Sequence, residues 1–226
     1  MEKISKSSYL TYLDCKRKYY YSLVGYIQET NEMMMYGLDF HKVLEDYNKK
    51  LMTGEDYKCP KKFESNFEAY NIMRGMLEEK GYQKVPVASE LKLMSGDIYG
   101  IIDCVFYNPN GKYMVIDYKT VMKVGKFDSE KYKPEMMLYA FIYAANKNIE
   151  LKSISTGIMR FEQNGTGFDF NEIPVDEDYI NELITDIGRM DDFIKNSSGD
   201  ISEFPMVDET KSSFSCRYCN YNKVCK

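Results

Sequence analysis

The sequence predicts a mixed α/β fold in which helices precede a three-stranded antiparallel meander, and a helix–strand–strand–helix run follows it. Three observations carry this expectation. Apolar residues recur at helical spacing through the N-terminal third. The pattern then changes to β-branched and aromatic runs, cut by the turn signals Ser95-Gly96-Asp97 and Asn108-Pro109-Asn110-Gly111. Beyond Lys119 the helical period returns, interrupted by shorter strand-like stretches.

The first helix is expected over residues 7–24, with capping hydroxyls offered between Ser5 and Ser8. A second spans about 33–52, with Met34, Leu38, Leu44 and Tyr47 at helical spacing and His41 in the same stripe. A third opens after Pro60, carries Phe63, Phe67, Tyr70, Met73 and Leu77, and ends near Gly81. Strands at 85–94, 98–107 and 112–119 make the meander. A helix at about 134–146 follows, then strands at 153–161 and 167–173, hinged at Asn164-Gly165. The last amphipathic helix, 176–195, stops at Ser197-Ser198-Gly199-Asp200. The tail from Phe204 onward has no clear period, and no internal repeat or low-complexity tract is present.

A chain of 226 residues with 44% hydrophobic content suits one domain with a substantial core, so residues 1–226 are expected to fold as a unit. There is no run of about 18 apolar residues. Met1-Glu2-Lys3-Ile4-Ser5-Lys6 lacks the apolar stretch of a secretory signal. A cytoplasmic protein that does not enter membranes is the expectation. The net charge of −5 counts against a simple electrostatic nucleic-acid binder. The average hides local basic runs, however: Lys16-Arg17-Lys18 near the start, and Lys211, Arg217, Lys223 and Lys226 near the end. These join into one patch if the termini meet. Ordinary solvated charge is the plainer reading of the same residues.

Asp117-Tyr118-Lys119 closes a predicted strand. Side chains alternate along a strand, so Asp117 and Lys119 share a face. Asp103 lies on the neighbouring antiparallel strand, among Ile101, Ile102, Cys104 and Val105. A carboxylate in such an apolar strand is costly to bury unless it is paired or binds metal. Mg²⁺ and Mn²⁺ prefer carboxylate oxygens. Two aspartates can hold a cation that polarises a phosphate and acidifies a bound water, and a lysine can orient that water. The tripeptide Asp-x-Lys alone also suits a simple ion pair within a sheet.

The six cysteines are Cys15, Cys59, Cys104, Cys216, Cys219 and Cys225. The last three form a C-x₂-C-x₅-C cluster on a tail without regular pattern, which suggests a metal site. Cys15 is the best candidate for a fourth ligand. Tetrahedral S₄ suits zinc or an iron–sulfur centre. Cys104 is expected to point away from the Asp103 face, into the core. A link from position 15 to 216 would close a very long loop and stabilise by several kcal/mol.

Gly100-x-x-Asp103 followed by Asp117-x-Lys119 resembles the PD-(D/E)XK nuclease superfamily. The arrangement is similar to its RecB/AddB-type branch, including the CRISPR-associated iron–sulfur exonucleases. The resemblance implies a restriction-endonuclease-like αβββαβ core with additional N-terminal helices and a cysteine-clamped C-terminal tail. It implies Mg²⁺- or Mn²⁺-dependent hydrolysis of DNA, as an exonuclease acting on single-stranded ends in repair or recombination. Asp103, Asp117 and Lys119 become the catalytic set, and His41 joins Asp103 and Asp117 on the divalent metal. Glu90 matches a glutamate of the first strand, with a supporting or structural role. The branch has Gln-x-x-x-Tyr after the lysine, which helps place DNA. Here the matching residues are Glu135 and Tyr139, and a carboxylate at 135 would repel phosphate. One N-terminal and three C-terminal cysteines imply a [4Fe–4S] cluster on Cys15, Cys216, Cys219 and Cys225, with zinc as the alternative. That cluster would join residues 1–24 and 204–226 in one lobe.

A different class remains open: a DNA-end-binding subunit with weak or no catalysis, working with a helicase or an integrase-like protein in recombination or CRISPR adaptation. A zinc-stapled interaction domain is a third reading, which leaves the acidic pair unexplained.

Overall fold

β3 is the organising strand of the molecule, and the gap along one of its edges positions the site. The structure, a computed structural model, describes residues 3–26, 31–163, 165–207, 216 and 219–225. The elements run β1 Ile4–Ser5, α1 Lys6–Asp14, α2 Lys16–Leu23, α3 Glu32–Thr53, α4 Glu64–Glu79, β2 Ala88–Ser95, β3 Ile98–Asn108 and β4 Lys112–Val121. They continue with α5 Ser129–Lys147, β5 Ile154–Glu162, β6 Phe168–Ile173 and α6 Glu177–Asn196.

Among the described residues, six strands form one sheet. β2 runs antiparallel along one edge of β3 from Ser95↔Ile98 to Ala88↔Val105. The other edge of β3 is shared. Its first residues pair in parallel with β1 (Ile4↔Ile98, Ser5↔Tyr99), and its last pair antiparallel with β4, from Cys104↔Ile116 to Asn108↔Lys112. Residues 100–103 of β3 are therefore left without a ladder partner on that edge. β5 lies parallel to β4, and β6 closes the far side antiparallel to β5. The meander and the following helix–strand crossover match the αβββαβ order expected from the sequence.

Helices cover both faces. One layer packs Met136, Met137, Leu138, Tyr139 and Ile142 of α5, with Ile180, Leu183 and Ile187 of α6, on Ile102, Val105, Val115 and Ile158. The opposite layer packs Phe40 and Leu44 of α3, with Tyr70, Met73 and Leu77 of α4, on Cys104, Phe106, Ile116 and Tyr118. Phe40 and Leu44 are fully buried. Each such side chain contributes roughly 2 kcal/mol by leaving water. Together they hold α3 at one rotation, and His41 follows directly after Phe40.

The structure departs from the sequence expectations in a few places. The first helix is two helices, because Cys15 is extended (φ −164°, ψ 118°) between α1 and α2. The buried stripe of α3 is Tyr36, Phe40, Val43 and Leu44, and Leu38 stays 62% exposed. The cause is a close approach at Gly37, where a Cβ would lie 2.7 Å from Thr120 Oγ1 and so fixes which face meets β4. α5 begins at Ser129, so Pro134 lies inside it rather than at its start. β2 begins at Ala88, three residues later than expected.

The chain ends meet among the described residues. Arg17 donates from Nε to the Phe204 carbonyl at 2.7 Å, and the Tyr21 hydroxyl donates to the Val224 carbonyl at 2.9 Å. Tyr21 also stacks on Tyr221 at 5.4 Å. Of the expected basic patch, Lys211, Arg217 and Lys226 lie outside the described residues, as does Asn164 of the expected hinge. No helix among the described residues is long and apolar enough to cross a membrane.

Candidate active site

Three carboxylates lie side by side across β2, β3 and β4. The β2–β3 register sets Glu90 opposite Asp103, and the β3–β4 register, continued one step, sets Asp103 opposite Asp117. Neither pair makes a regular ladder bond. Glu90 has φ +49°, in the left-handed region, which a non-glycine residue adopts at a cost of about 1 kcal/mol or more. The alternation of both strands breaks at this point. Ala88 and Val105 pack under α5 on one side of the break, and Leu91, Leu93, Ile98 and Ile102 do so on the other. Asp103 takes the place of the missing ladder bond: its Oδ2 accepts the Tyr118 N–H at 2.6 Å.

His41 reaches the same carboxylate from α3. Its Nδ1 lies 3.5 Å from Asp103 Oδ2, and its Nε2 lies 3.1 Å from the Tyr118 carbonyl oxygen. His41, Glu90 and Asp103 each offer a ligand atom within 4.8 Å of the others. Asp117 stands outside that triad but beside it. Its Oδ2 is buried, and its close partner is the Lys119 ammonium, 2.6 Å away.

Lys119 is shared. Its Nζ also lies 2.9 Å from Glu135 Oε2 and 3.1 Å from Oε1. Glu135 is buried on α5 and pairs in addition with Lys6, the first residue of α1. Tyr139, one turn further on, is almost wholly buried. It packs against Gly100, where a Cβ would come within 2.9 Å of the ring. This close approach explains why glycine stands three residues before Asp103. The Lys6 ammonium lies 5.0 Å from the centre of the Tyr139 ring.

The electrostatics follow from burial and crowding. Burial pushes the Asp117 carboxyl up to about 7, and Glu135 and Asp103 add to this against the opposing pull of Lys119. Burial, then Asp103, likewise raises Glu90 to about 7. Burial alone would also raise Asp103, but His41, the Tyr118 N–H and Lys119 hold it below the usual range. His41 is disfavoured as a cation by burial, yet Asp103, Asp117 and Glu90 outweigh this and raise it. Burial opposes the Lys119 charge too, but Asp117 and Glu135 raise it and lock it as an ammonium. Such a set has a surplus of negative charge. Oxygen-rich and carrying one imidazole, with a buried carboxylate beside it, it suits a hard divalent cation.

A polar network behind the sheet fixes the neighbours of all three acids. Asn48 Nδ2 donates to Ser89 Oγ at 3.3 Å, and Ser89 Oγ donates to the Asp103 carbonyl at 3.2 Å. Tyr70 donates to Asn48 Oδ1 at 2.7 Å, and Tyr118 donates to Tyr70 at 3.1 Å. Cys104, fully buried as expected, lies 3.7 Å from both Asn48 and Tyr70. Ser89, Cys104 and Tyr118 each adjoin one of the acids in sequence. Sequence reasoning missed Asn48, Tyr70, Ser89 and Lys6. A buried Asn one face-repeat after His41 on the same helix was the available signal for Asn48.

The four expected cluster cysteines, Cys15, Cys216, Cys219 and Cys225, line one cavity of about 320 Å³ between α1–α2 and the tail. Burial, with the other three thiols of the cavity, raises the Cys225 pKa against the pull of Arg17. Among the described residues, no three of these sulfurs lie within 4.8 Å of one another. Cys59 stands apart from this cavity.

The fold, with its row of acids and a lysine two positions after the last, is of nuclease type. The chain matches the family model of the PD-(D/E)XK nuclease superfamily over residues 3–226, and it belongs to that superfamily. Among solved structures it is similar to a candidate exonuclease from Eubacterium rectale, with 15% identity and a TM-score of 0.58 over 100% of this chain and 90% of that one. It also matches the protein SSO0001 (16% identity, TM-score 0.41, 99% and 85% covered). An alkaline exonuclease from Laribacter hongkongensis matches less of it (10% identity, TM-score 0.40, 83% and 85% covered). At these identities the likeness to the Eubacterium rectale protein shows the fold. No curated protein matches the chain.

Proposed function

We propose that this nuclease is a Mg²⁺- or Mn²⁺-dependent exonuclease acting on single-stranded DNA ends, of the RecB/AddB-type branch, with an iron–sulfur cluster at its chain termini. The observation that carries the reading is the His41–Glu90–Asp103 triad with the buried Asp117 carboxylate beside it, and Lys119 held as an ammonium between Asp117 and Glu135. His41, Glu90, Asp103 and Asp117 would hold the cation, so Glu90 takes a larger part than its sequence position alone suggested. A divalent cation there would polarise the scissile phosphate and acidify a coordinated water. Lys119 orients the attacking water and balances charge that develops on the phosphate. Asp103 keeps His41 aligned, and the Tyr118 N–H keeps Asp103 aligned.

The walls of the cleft support a single strand as substrate. Leu38, Met33 and Ile101 line it and remain exposed. Exposed apolar side chains suit the faces of unstacked bases, which a duplex keeps covered. Lys123 and Lys126, exposed just beyond β4, suit the phosphate backbone.

For the termini, four thiolates around one cavity suit iron–sulfur or zinc chemistry. The cluster would join residues 1–24 and 204–226 within one 1–226 domain.

The test uses full-length protein purified without oxygen. End-labelled single-stranded and double-stranded DNA are incubated with Mn²⁺, and the products are sized over time. Mononucleotides or short oligonucleotides released from single strands first support the reading. Internal cuts, or equal attack on duplex, would replace it with endonuclease or duplex activity. Binding without cleavage would favour the DNA-end-binding subunit. Broad visible absorbance near roughly 400 nm is expected of the cluster, and colourless protein containing zinc would exclude it.

A further inference from the structure

We propose that Lys6 is a positioning residue of the catalytic centre, which acts through Glu135 to keep the Lys119 ammonium available to Asp117 and the substrate phosphate. This rests on the nuclease reading above.

Lys6 enters the site because of how β1 ends. Ser5 pairs with Tyr99, and the chain turns into α1 at the next residue. That places Lys6 at the uncovered edge of β3, where residues 100–103 have no ladder partner. Its ammonium ion-pairs with Glu135 Oε1, the same oxygen that accepts Lys119 at 3.1 Å. Lys119 in turn lies 2.6 Å from Asp117. The four groups form a file, Lys6–Glu135–Lys119–Asp117, in which the charge alternates in sign.

The file shows what Lys6 does. Without it, Lys119 would stand as the sole cation between two buried carboxylates. Glu135 would then claim more of Lys119, and an incoming phosphodiester would add a third negative group to the same ammonium. A buried carboxylate deprived of one partner draws harder on the one that remains. With Lys6 present, Glu135 is neutralised from its other side. A neutral amide is expected at position 135 from the resemblance, and Lys6 cancels the charge that an amide would not carry. The departure at Glu135 is thus accounted for by a residue 129 positions away.

The coupling is testable because the need for Lys6 should vanish with the Glu135 charge. Single-stranded DNA cleavage with Mn²⁺ is measured for wild type, Lys6→Gln, Glu135→Gln, the double variant and Lys6→Arg, with a melting temperature for each. Lys6→Gln is expected to lower kcat about tenfold with KM little changed. Lys6→Arg, which keeps the charge, should stay well above it. In the Glu135→Gln background, replacing Lys6 should change kcat less than about threefold. That last ratio does not depend on Lys6→Gln folding well by itself. A residue that merely staples α1 to α5 would cost the same in both backgrounds and would lower the melting temperature instead. Equal losses in both backgrounds overturn the proposal. A wild type that leaves DNA intact overturns the nuclease reading instead, so the two failures are distinct.

Discussion

The acidic cleft and the cysteine cavity lie at the two ends of α1, and they are built differently. Lys6 opens this nine-residue helix and Cys15 caps its far end. At the cleft, the sheet register and a buried polar network hold every group before any cation arrives. At the cavity, the thiols share a space but do not converge, and the contacts that close it are aromatic stacking and a few hydrogen bonds. The first site is organised by the fold. The second, under the proposed reading, would be drawn together by its metal, as metal sites coupled to folding are.

The sharpest way to break this contrast is at Lys119. Lys119→Ala should lower DNA cleavage by about 10²–10³-fold in protein that still folds. A large loss of stability instead would mean that the cleft, too, depends on its charges for folding.

Next in size is the cavity. Cys219→Ser or Cys15→Ser should lower the melting temperature of metal-loaded protein by about 5–15 °C, at roughly 2–4 °C per kcal/mol. The same substitutions should change stripped protein very little. Equal losses with and without metal would mean that the thiols serve only as packing.

A third prediction concerns Asp117. Its carboxyl sits at about 7 in the folded chain, against an ordinary value of 3.8. The folded state therefore holds this proton more tightly than the unfolded chain. The stability it contributes is full below about pH 4 and is lost as pH rises through about 7. Asp117→Asn cannot lose that proton. Without metal, the variant should melt several degrees above wild type at pH 8, and the gap should close near pH 4. Mn²⁺ should narrow the gap at pH 8 by stabilising wild type alone. Calorimetric scans at the two pH values check this.

The smallest effect lies at Glu90. Glu90→Gly should be about 1 kcal/mol more stable than Glu90→Ala, because only glycine takes φ +49° without strain. Denaturant unfolding of the pair measures it. No difference would mean that the backbone relaxes once the side chain is gone.

Much of this was legible in the sequence, for physical reasons. Asp117 and Lys119 share a face by the period of a strand, and two strong turns bounded β3. What stayed hidden was long-range or backbone-level. Lys6 meets Glu135 only through the fold. β1 has two residues and no period to read. Cys15 carries no sign of the break between α1 and α2. Pro134 suggested a helix start, but α5 tolerates it in its second turn. Leu38 obeyed the helical period yet faces the cleft, because the approach at Gly37 decides which face of α3 meets the sheet.

In the proposed function, this row of acids and its lysine cut DNA with a divalent cation. The most direct measurement is Mn²⁺-dependent degradation of single-stranded DNA by wild type, Asp103→Asn and Lys119→Ala, each shown to be folded. Cleavage by wild type that EDTA abolishes is expected, and almost none by either variant. Cleavage by the variants at the wild-type rate, or a folded wild type that leaves DNA whole with Mn²⁺ and Mg²⁺ alike, would contradict it.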